Sequence, residues 1–281
     1  MLTVLKVLVY HKIDNPVNFE KHLVYLQANY TLISINEILK FKDKNTNTQK
    51  PPLLITFDDG DLTIYNNAFP ILKRYKIPAV IFVISGLIGT QEPFWWDEIT
   101  YYNNTNGNSN AMIWEVKKWP NKKRINFIDQ LKLNSSIQEL KYPQLTYDHL
   151  YEMQAEGIDI ANHSHTHPLF DRCTPIELKQ EMTTSMEILK KENFLYDIFA
   201  YPNGNFSTKS EAVIKKAGIR MAFLFDHKIN INLDNPLRIS RLIVDDTTPL
   251  WKFRFILSGY HSKVLPLRRK ISKLLSGLRM V

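Results

Sequence analysis

Short runs of β-branched and apolar residues recur along the chain, separated by stretches in which apolar residues return every three or four positions. The short runs predict strands at 4–10, 53–57, 79–84, 157–161, 197–201, 220–224 and 239–244, and the longer pattern predicts helices near 18–28, 64–75, 146–156, 174–192, 208–217 and 250–258. Strands alternating with helices are the mark of βα units wound around a parallel sheet or barrel. Ile-Pro-Ala-Val-Ile-Phe-Val (77–83) shows the logic locally: a helix ends near Tyr75, proline closes the connection, and a buried strand begins. Segment 101–145 breaks the rhythm with Asn-Asn-Thr-Asn-Gly-Asn-Ser-Asn (103–110) and is expected to be an insertion over one end of the barrel.

A length of 281 residues with 44% hydrophobic side chains suits one barrel-like domain, expected over 1–260. Charged residues at 23% and aromatics at 12% argue against disorder. The single Cys173 excludes an intrachain disulfide. Lys6 interrupts the apolar N-terminus and no small-residue cleavage site follows, so this stretch reads as a first strand and not as a signal peptide. No apolar run reaches the ~18 residues a membrane-spanning helix needs. These features lead to the expectation of a cytoplasmic protein, at the inner membrane face if the basic tail touches lipid, with export as the alternative.

The formal charge of +8 owes much to Lys263, Arg268, Arg269, Lys270, Lys273 and Arg279, which alternate with leucines and isoleucine in a helical pattern. Residues 261–281 are therefore expected to form a basic amphipathic helix. Either its leucines pack on the domain and its basic face is solvated, or it rests on an anionic membrane surface. No nucleic-acid-binding motif accompanies the charge.

The chemically capable residues fall just after predicted strands. His11 follows 4–10, Asp58 and Asp59 follow 53–57, His163 follows 157–161, and Pro202-Asn203-Gly204 follows 197–201. In βα barrels the strand C-termini converge on one face, where active sites are built. Asp59, His163 and His167 would meet the needs of a catalytic divalent ion with three protein ligands and one open position. His165 offers a competing His-x-His choice, and histidines satisfied within a loop are the plainer alternative.

Thr56-Phe57-Asp58-Asp59-Gly60 and His163-Ser164-x-x-His167 resemble the first two motifs of the polysaccharide deacetylases, the NodB-homology group of carbohydrate esterase family 4. Leu145–Leu150, Phe199–Gly204 and Leu237–Val244 are similar to further family features, so the likeness runs from Val7 to about Ser258. The resemblance implies a distorted (β/α)7 barrel and removal of acetyl groups from N-acetylated sugars. It implies one divalent ion, zinc first and nickel, cobalt or manganese as alternatives, held by Asp59, His163 and His167. Asp58 would be the general base, and a backbone N–H of the 202–204 turn, that of Asn203, would hold the oxyanion. An O-acetyl ester or another amide as substrate, or a glycan-binding protein with a degenerate site, are the competing readings.

The sequence departs from the family pattern in two places. Where an arginine and a tyrosine often stand in the third motif, this chain has Ala200 and Asn203. Arg241 is the first candidate to pair with Asp58 instead, and Arg238 the second. The usual Leu-x-His run carrying the general acid is missing downstream of residue 204, but Val7-Leu8-Val9-Tyr10-His11 resembles it. That suggests a circular permutation like that of the biofilm poly-N-acetylglucosamine deacetylases, with His11 as the acid. On the substrate side, Phe94-Trp95-Trp96-Asp97-Glu98 offers flat rings, and Trp95, Trp96 and Tyr201 are the expected sugar contacts. Trp114 and Trp119 fall in the insertion without a derivable position, and Cys173, His22 and His149 read as structural or surface residues.

Overall fold

The computed structural model describes residues 4–41, 50–103, 109–231 and 233–260. The elements in chain order are β1 (Lys6–Tyr10), α1 (Pro16–Asn29), β2 (Thr31–Leu32), α2 (Ile35–Phe41), β3 (Pro52–Phe57), α3 (Phe69–Tyr75) and β4 (Ala79–Val83). Then follow α4 (Trp95–Tyr102), α5 (Ser109–Val116), α6 (Asn121–Leu133), α7 (Tyr147–Ala155), β5 (Ile158–Asn162) and α8 (Pro175–Lys191). The last are β6 (Leu195–Ala200), α9 (Thr208–Ala217), β7 (Met221–Phe223), β8 (Leu242–Ile243) and α10 (Leu250–Leu257).

The strands form one sheet in the order β7-β6-β5-β4-β3-β1-β8, with β2 against the start of β3. Every named strand pair is parallel. The sheet curls because one stretch of chain meets both of its ends: Ile239 bridges Phe223 of β7, and Leu242 and Ile243 pair with Leu8 and Val9 of β1. This is the α/β architecture expected. The predicted strand 239–244 is realised as these two short contacts, since the chain must leave β7 to reach β1. The first strand lies between β3 and the last strand, the place a permuted barrel would give it.

Side-chain alternation explains why the strands read as continuous apolar runs: both faces are buried. Val7, Leu54, Val80, Phe82, Ala161, Ile198, Ala200, Met221, Phe223 and Ile239 converge on the concave side. Their neighbours Leu8, Ile55, Phe57, Ile81 and Ile160 face the other way, into a cluster shared with Phe19 and Leu23 of α1, Leu72 of α3, Met153 of α7 and Phe253 of α10. Filling the inside of the curl with Phe82 and Phe223 makes that side a packed core, so chemistry is confined to its rim.

The predicted helix 64–75 opens with a π-helical turn, Ile64–Ala68, before α3. The span 101–145 contains α5 and α6, which pack through Val116 and Ile128 on Trp95 and Ile99 of α4. These helices, with β2 and α2, escaped the sequence reading. In α6 the buried positions include Asn121 and Arg124 as well as Ile128, so apolar periodicity is nearly absent. The expected helix 261–281, and with it the membrane contact, lies outside the described residues. Among the described residues no helix is long and apolar enough to cross a membrane.

Candidate active site

The rim at the carboxyl ends of β1, β3, β5 and β6 gathers the chemically capable residues. Asp58 leaves β3 with its N–H on the carbonyl of Tyr10, 2.9 Å away, which ties it to the end of β1 and hence to His11. The next residue, Asp59, adopts a left-handed backbone at φ 70°. On the β5 side, Ser164 and His167 are left-handed as well, at φ 70° and 54°. Such conformations are costly for residues with a Cβ and persist where surrounding contacts impose them. Here Glu181 of α8 accepts from the N–H groups of His165 and Thr166, both at 2.9 Å, and Ser164 Oγ accepts from His167 N–H at 3.1 Å. Gly86 lets the 163–167 loop approach, because a Cβ there would stand 2.6 Å from the His165 carbonyl.

Asp59, His163 and His167 present ligand atoms that all lie within 4.8 Å of one another. Both Nε2 atoms stand 3.3 Å from Asp59 Oδ1. His163 Nδ1 meets the carbonyl of Ala200 at 2.9 Å, so this nitrogen must carry the proton and donate, leaving a lone pair at Nε2 when the ring is neutral. Asp59 Oδ1 is buried without a hydrogen-bond donor. The His163 Nε2 lone pair thus faces Asp59 Oδ1, an arrangement that a cation between them relieves. The donor set fits a divalent ion such as zinc. His165 stands apart from the cluster, its Nδ1 3.1 Å from Ser85 Oγ, which removes the competing His-x-His choice.

Beside this cluster, Arg241 meets Asp58 with Nη1–Oδ1 at 2.6 Å and Nη2–Oδ2 at 2.7 Å. Its Nε donates to the Leu224 carbonyl at 2.7 Å, and its side chain is 0% exposed. Arg238, the second candidate, forms an exposed pair with Glu211 on α9 instead. Burial works to raise the pKa of Asp58, but the charges of Arg241 and His163 outweigh it and hold the carboxyl below its usual range. Asp59 is likewise held low against its burial by the two histidines and His11. Burial pushes His167 down to about 3, so this imidazole is neutral. Burial also works to lower His163, yet the charges of Asp58 and Asp59 carry it upward, the behaviour of a ring that calls for a positive charge beside its Nε2.

His11 lines the same cleft as Asp58, Asp59, His167 and Asn203, with its ring edge-on to Phe225 at 5.3 Å. Asn203 is left-handed at φ 55°, in a turn whose internal hydrogen bonds use the N–H groups of Gly204 and Asn205 and not its own. Gly204 is required there, because a Cβ would stand 2.6 Å from the backbone nitrogen of Phe225. The cleft has a volume of about 520 Å3, within the usual range for small-ligand sites.

The aromatic expectations divide. Trp96 lines the cleft, stacked on Phe94 at 4.9 Å and edge-on to His167 at 4.8 Å. Trp95 also lines it but is mostly buried, and its Nε1–H donates to the His167 carbonyl at 3.2 Å, so its polar handle is spent on holding the histidine loop. Tyr201 is corrected: its ring is 0% exposed, packed against Phe170, Phe199 and Phe206, and does not line the cleft. The alternation of β6 turns it away from the rim. Conversely, Trp114 and Lys117, brought by α5 and the residue after it, line the cleft although nothing in their sequence setting placed them there.

Fold and rim together define a hydrolase whose working groups sit at the carboxyl ends of parallel strands. Residues 45–222, more than half of the chain, match the family model described as Polysaccharide deacetylase, and the chain belongs to that family. It is 27% identical over 256 residues to the poly-beta-1,6-N-acetyl-D-glucosamine N-deacetylase of Staphylococcus aureus strain MSSA476, covering 87% of this chain and 72% of that protein. Among solved structures, the deacetylase PplD of Streptococcus pyogenes in complex with acetate superimposes with a TM-score of 0.65 at 20% identity, covering 88% of this chain and 95% of that one. IcaB from Ammonifex degensii superimposes with a TM-score of 0.64 at 20% identity, covering 91% and 96%. These two likenesses concern the fold.

Proposed function

We propose that the chain is an N-deacetylase of polymeric N-acetylglucosamine, the β-1,6-linked polymer named for its Staphylococcus relatives being the first candidate substrate. The observation that carries this reading is the separation of two adjacent carboxylates into different environments: Asp58 is clamped by Arg241, while Asp59 faces two imidazole nitrogens without a donor. One carboxylate is thereby kept as a base and the other as a ligand. Asp59, His163 and His167 would hold a divalent ion, zinc first, which when bound supplies Lewis acidity toward water and the acetamide carbonyl.

The protein's own groups do the rest. Asp58, ionised at neutral pH and oriented by Arg241, takes the proton of the attacking water. The Asn203 N–H, unspent in its turn, donates to the carbonyl oxygen as charge develops there. His11 gives a proton to the departing nitrogen, without which an amine is a poor leaving group. Trp96 offers a flat face to the sugar ring. The position of Arg241 counts against a degenerate sugar-binding site, since the charge absent at Ala200 is supplied from another strand.

Acetate release from poly-β-1,6-N-acetylglucosamine, measured enzymatically before and after chelation and re-addition of zinc, tests the reading. Chelation is expected to abolish release and zinc to restore it. Turnover confined to O-acetyl esters, with none on the amide polymer, would overturn the assignment.

A further inference from the structure

Lys117 follows the last turn of α5, in the span that interrupts the barrel pattern, yet its ammonium ends in the cleft beside the β6 turn. Lys117 Nζ donates to Asn203 Oδ1 at 2.7 Å and lies 4.9 Å from the centre of the Trp114 ring. Among the described residues no carboxylate lies within ion-pair distance of it. An ammonium has three donors. One is spent on Asn203, and no protein carboxylate claims the others in a cleft that Lys117 shares with Asp59, His11 and Asn203. Asp59 acts on this ammonium only from beyond ion-pair distance, so a half-buried lysine keeps its remaining donors for a group that arrives in the cleft and gains charge there.

We propose that Lys117 is a further catalytic residue, donating from its ammonium to the acetamide oxygen alongside the Asn203 N–H. The inference rests on the deacetylase reading above. In that reaction water oxygen bonds to the carbonyl carbon, the C–N bond breaks, and the proton balance closes through Asp58 and His11. Lys117 keeps its own proton throughout and serves only to stabilise charge on the oxygen. Its hydrogen bond to Asn203 Oδ1 fixes the ammonium on the same edge of the cleft as the backbone donor, so the two act on one oxygen. A positive charge in a partly dehydrated cleft is worth most when the oxygen becomes anionic, so the contribution falls on turnover and not on ground-state binding.

The test uses Lys117→Met, Lys117→Gln and Lys117→Arg in the zinc-loaded protein, read by steady-state acetate release, metal content, and calorimetric binding of methylphosphonate as a tetrahedral anion. Glutamine keeps an N–H donor for Asn203 but not the charge. The Met and Gln variants are expected to lower kcat about 100- to 1,000-fold with KM changed only a few-fold, as for loss of an oxyanion donor. Arg is expected to restore part of kcat, methylphosphonate affinity should fall with the charge, and metal content should stay the same. Unchanged kcat, an effect confined to KM, or a Gln variant equal to wild type would overturn the proposal, the last by reducing Lys117 to a prop for Asn203. If the wild-type protein releases no acetate, the deacetylase reading fails. The methylphosphonate comparison then still decides Lys117: equal binding by wild type and the Met variant overturns its role.

Discussion

Arg241 and Asp58, 183 positions apart in sequence, form a two-pronged ion pair at 2.6 and 2.7 Å in which neither side chain is more than 3% exposed. The pair joins the stretch that touches both ends of the sheet to the strand that carries the acidic motif, so it bears on stability and on chemistry at once. Breaking a buried pair from one side leaves an uncompensated charge, costing about 3–5 kcal/mol, whereas removing both charges is far milder. Arg241→Met is therefore expected to lose about 3 kcal/mol in urea unfolding, and the double variant Arg241→Met/Asp58→Asn to recover most of it. Neither variant should recover acetate release. A double variant as unstable as the single one would show that Arg241 acts through packing alone.

The metal cluster separates from its neighbours by content and not by rate. Asp59→Ala, His163→Ala and His167→Ala are expected to bind substoichiometric zinc by elemental analysis, while Asp58→Asn and His165→Ala stay near one ion per chain. Asp58→Asn should retain zinc and lose turnover by about 100-fold or more, the scale of a general base. Full turnover in Asp58→Asn would remove it from the role of base.

Much of this site was legible because strand ends and motif residues coincide: four separate apolar runs each delivered a polar residue at their carboxyl ends. The Arg241 pairing was legible only through the family resemblance: the arginine absent at Ala200 had to come from elsewhere, and Arg241 lies in a predicted barrel strand. Tyr201 misled because it directly precedes the Asn203 turn, but adjacent strand residues face opposite sides and its side chain went to the core. Lys117 and Trp114 could not be found, since their placement depends on how α5 and α6 fold back onto α4. Arg124 shows why: it is buried with its guanidinium 4.8 Å from the Trp95 ring centre, a contact no periodicity encodes.

His11 and the leaving group can be tested by changing the leaving group itself. An amine must be protonated as it departs, but an aryl oxide leaves unaided. His11→Ala is expected to slow acetate release from the amide polymer by about 100-fold or more while leaving hydrolysis of an aryl acetate within a few-fold of wild type. Equal losses on both substrates would assign His11 to binding or to the charge balance around Asp58 and Asp59.

His22 supplies a pH dependence distinct from the active site. It is 0% exposed, stacks on Phe253 at 4.0 Å, and has both ring nitrogens committed: Nε2–H donates to the Thr248 carbonyl at 2.7 Å, so Nδ1 accepts from Tyr10 hydroxyl at 3.1 Å. A proton on Nδ1 would end its acceptance from Tyr10, the residue just before His11, and force the phenol oxygen to turn from donor to acceptor. Burial, the largest influence, lowers the pKa of His22 from the usual 6.5, with the Thr248 bond and two aspartates opposing it. A base whose pKa is lowered in the folded state binds fewer protons there than in the unfolded chain. Its stabilising share is therefore complete above 6.5 and is lost as pH falls from 6.5 toward the folded value. Between neutrality and mild acid, the wild-type Tm is expected to fall more than that of His22→Gln, by about 2–4 °C for each kcal/mol involved. The Gln variant should start lower at neutral pH, because its amide cannot reproduce the stack on Phe253. Parallel Tm profiles for the two proteins over this range would show that His22 stays neutral without cost and that acid sensitivity arises elsewhere.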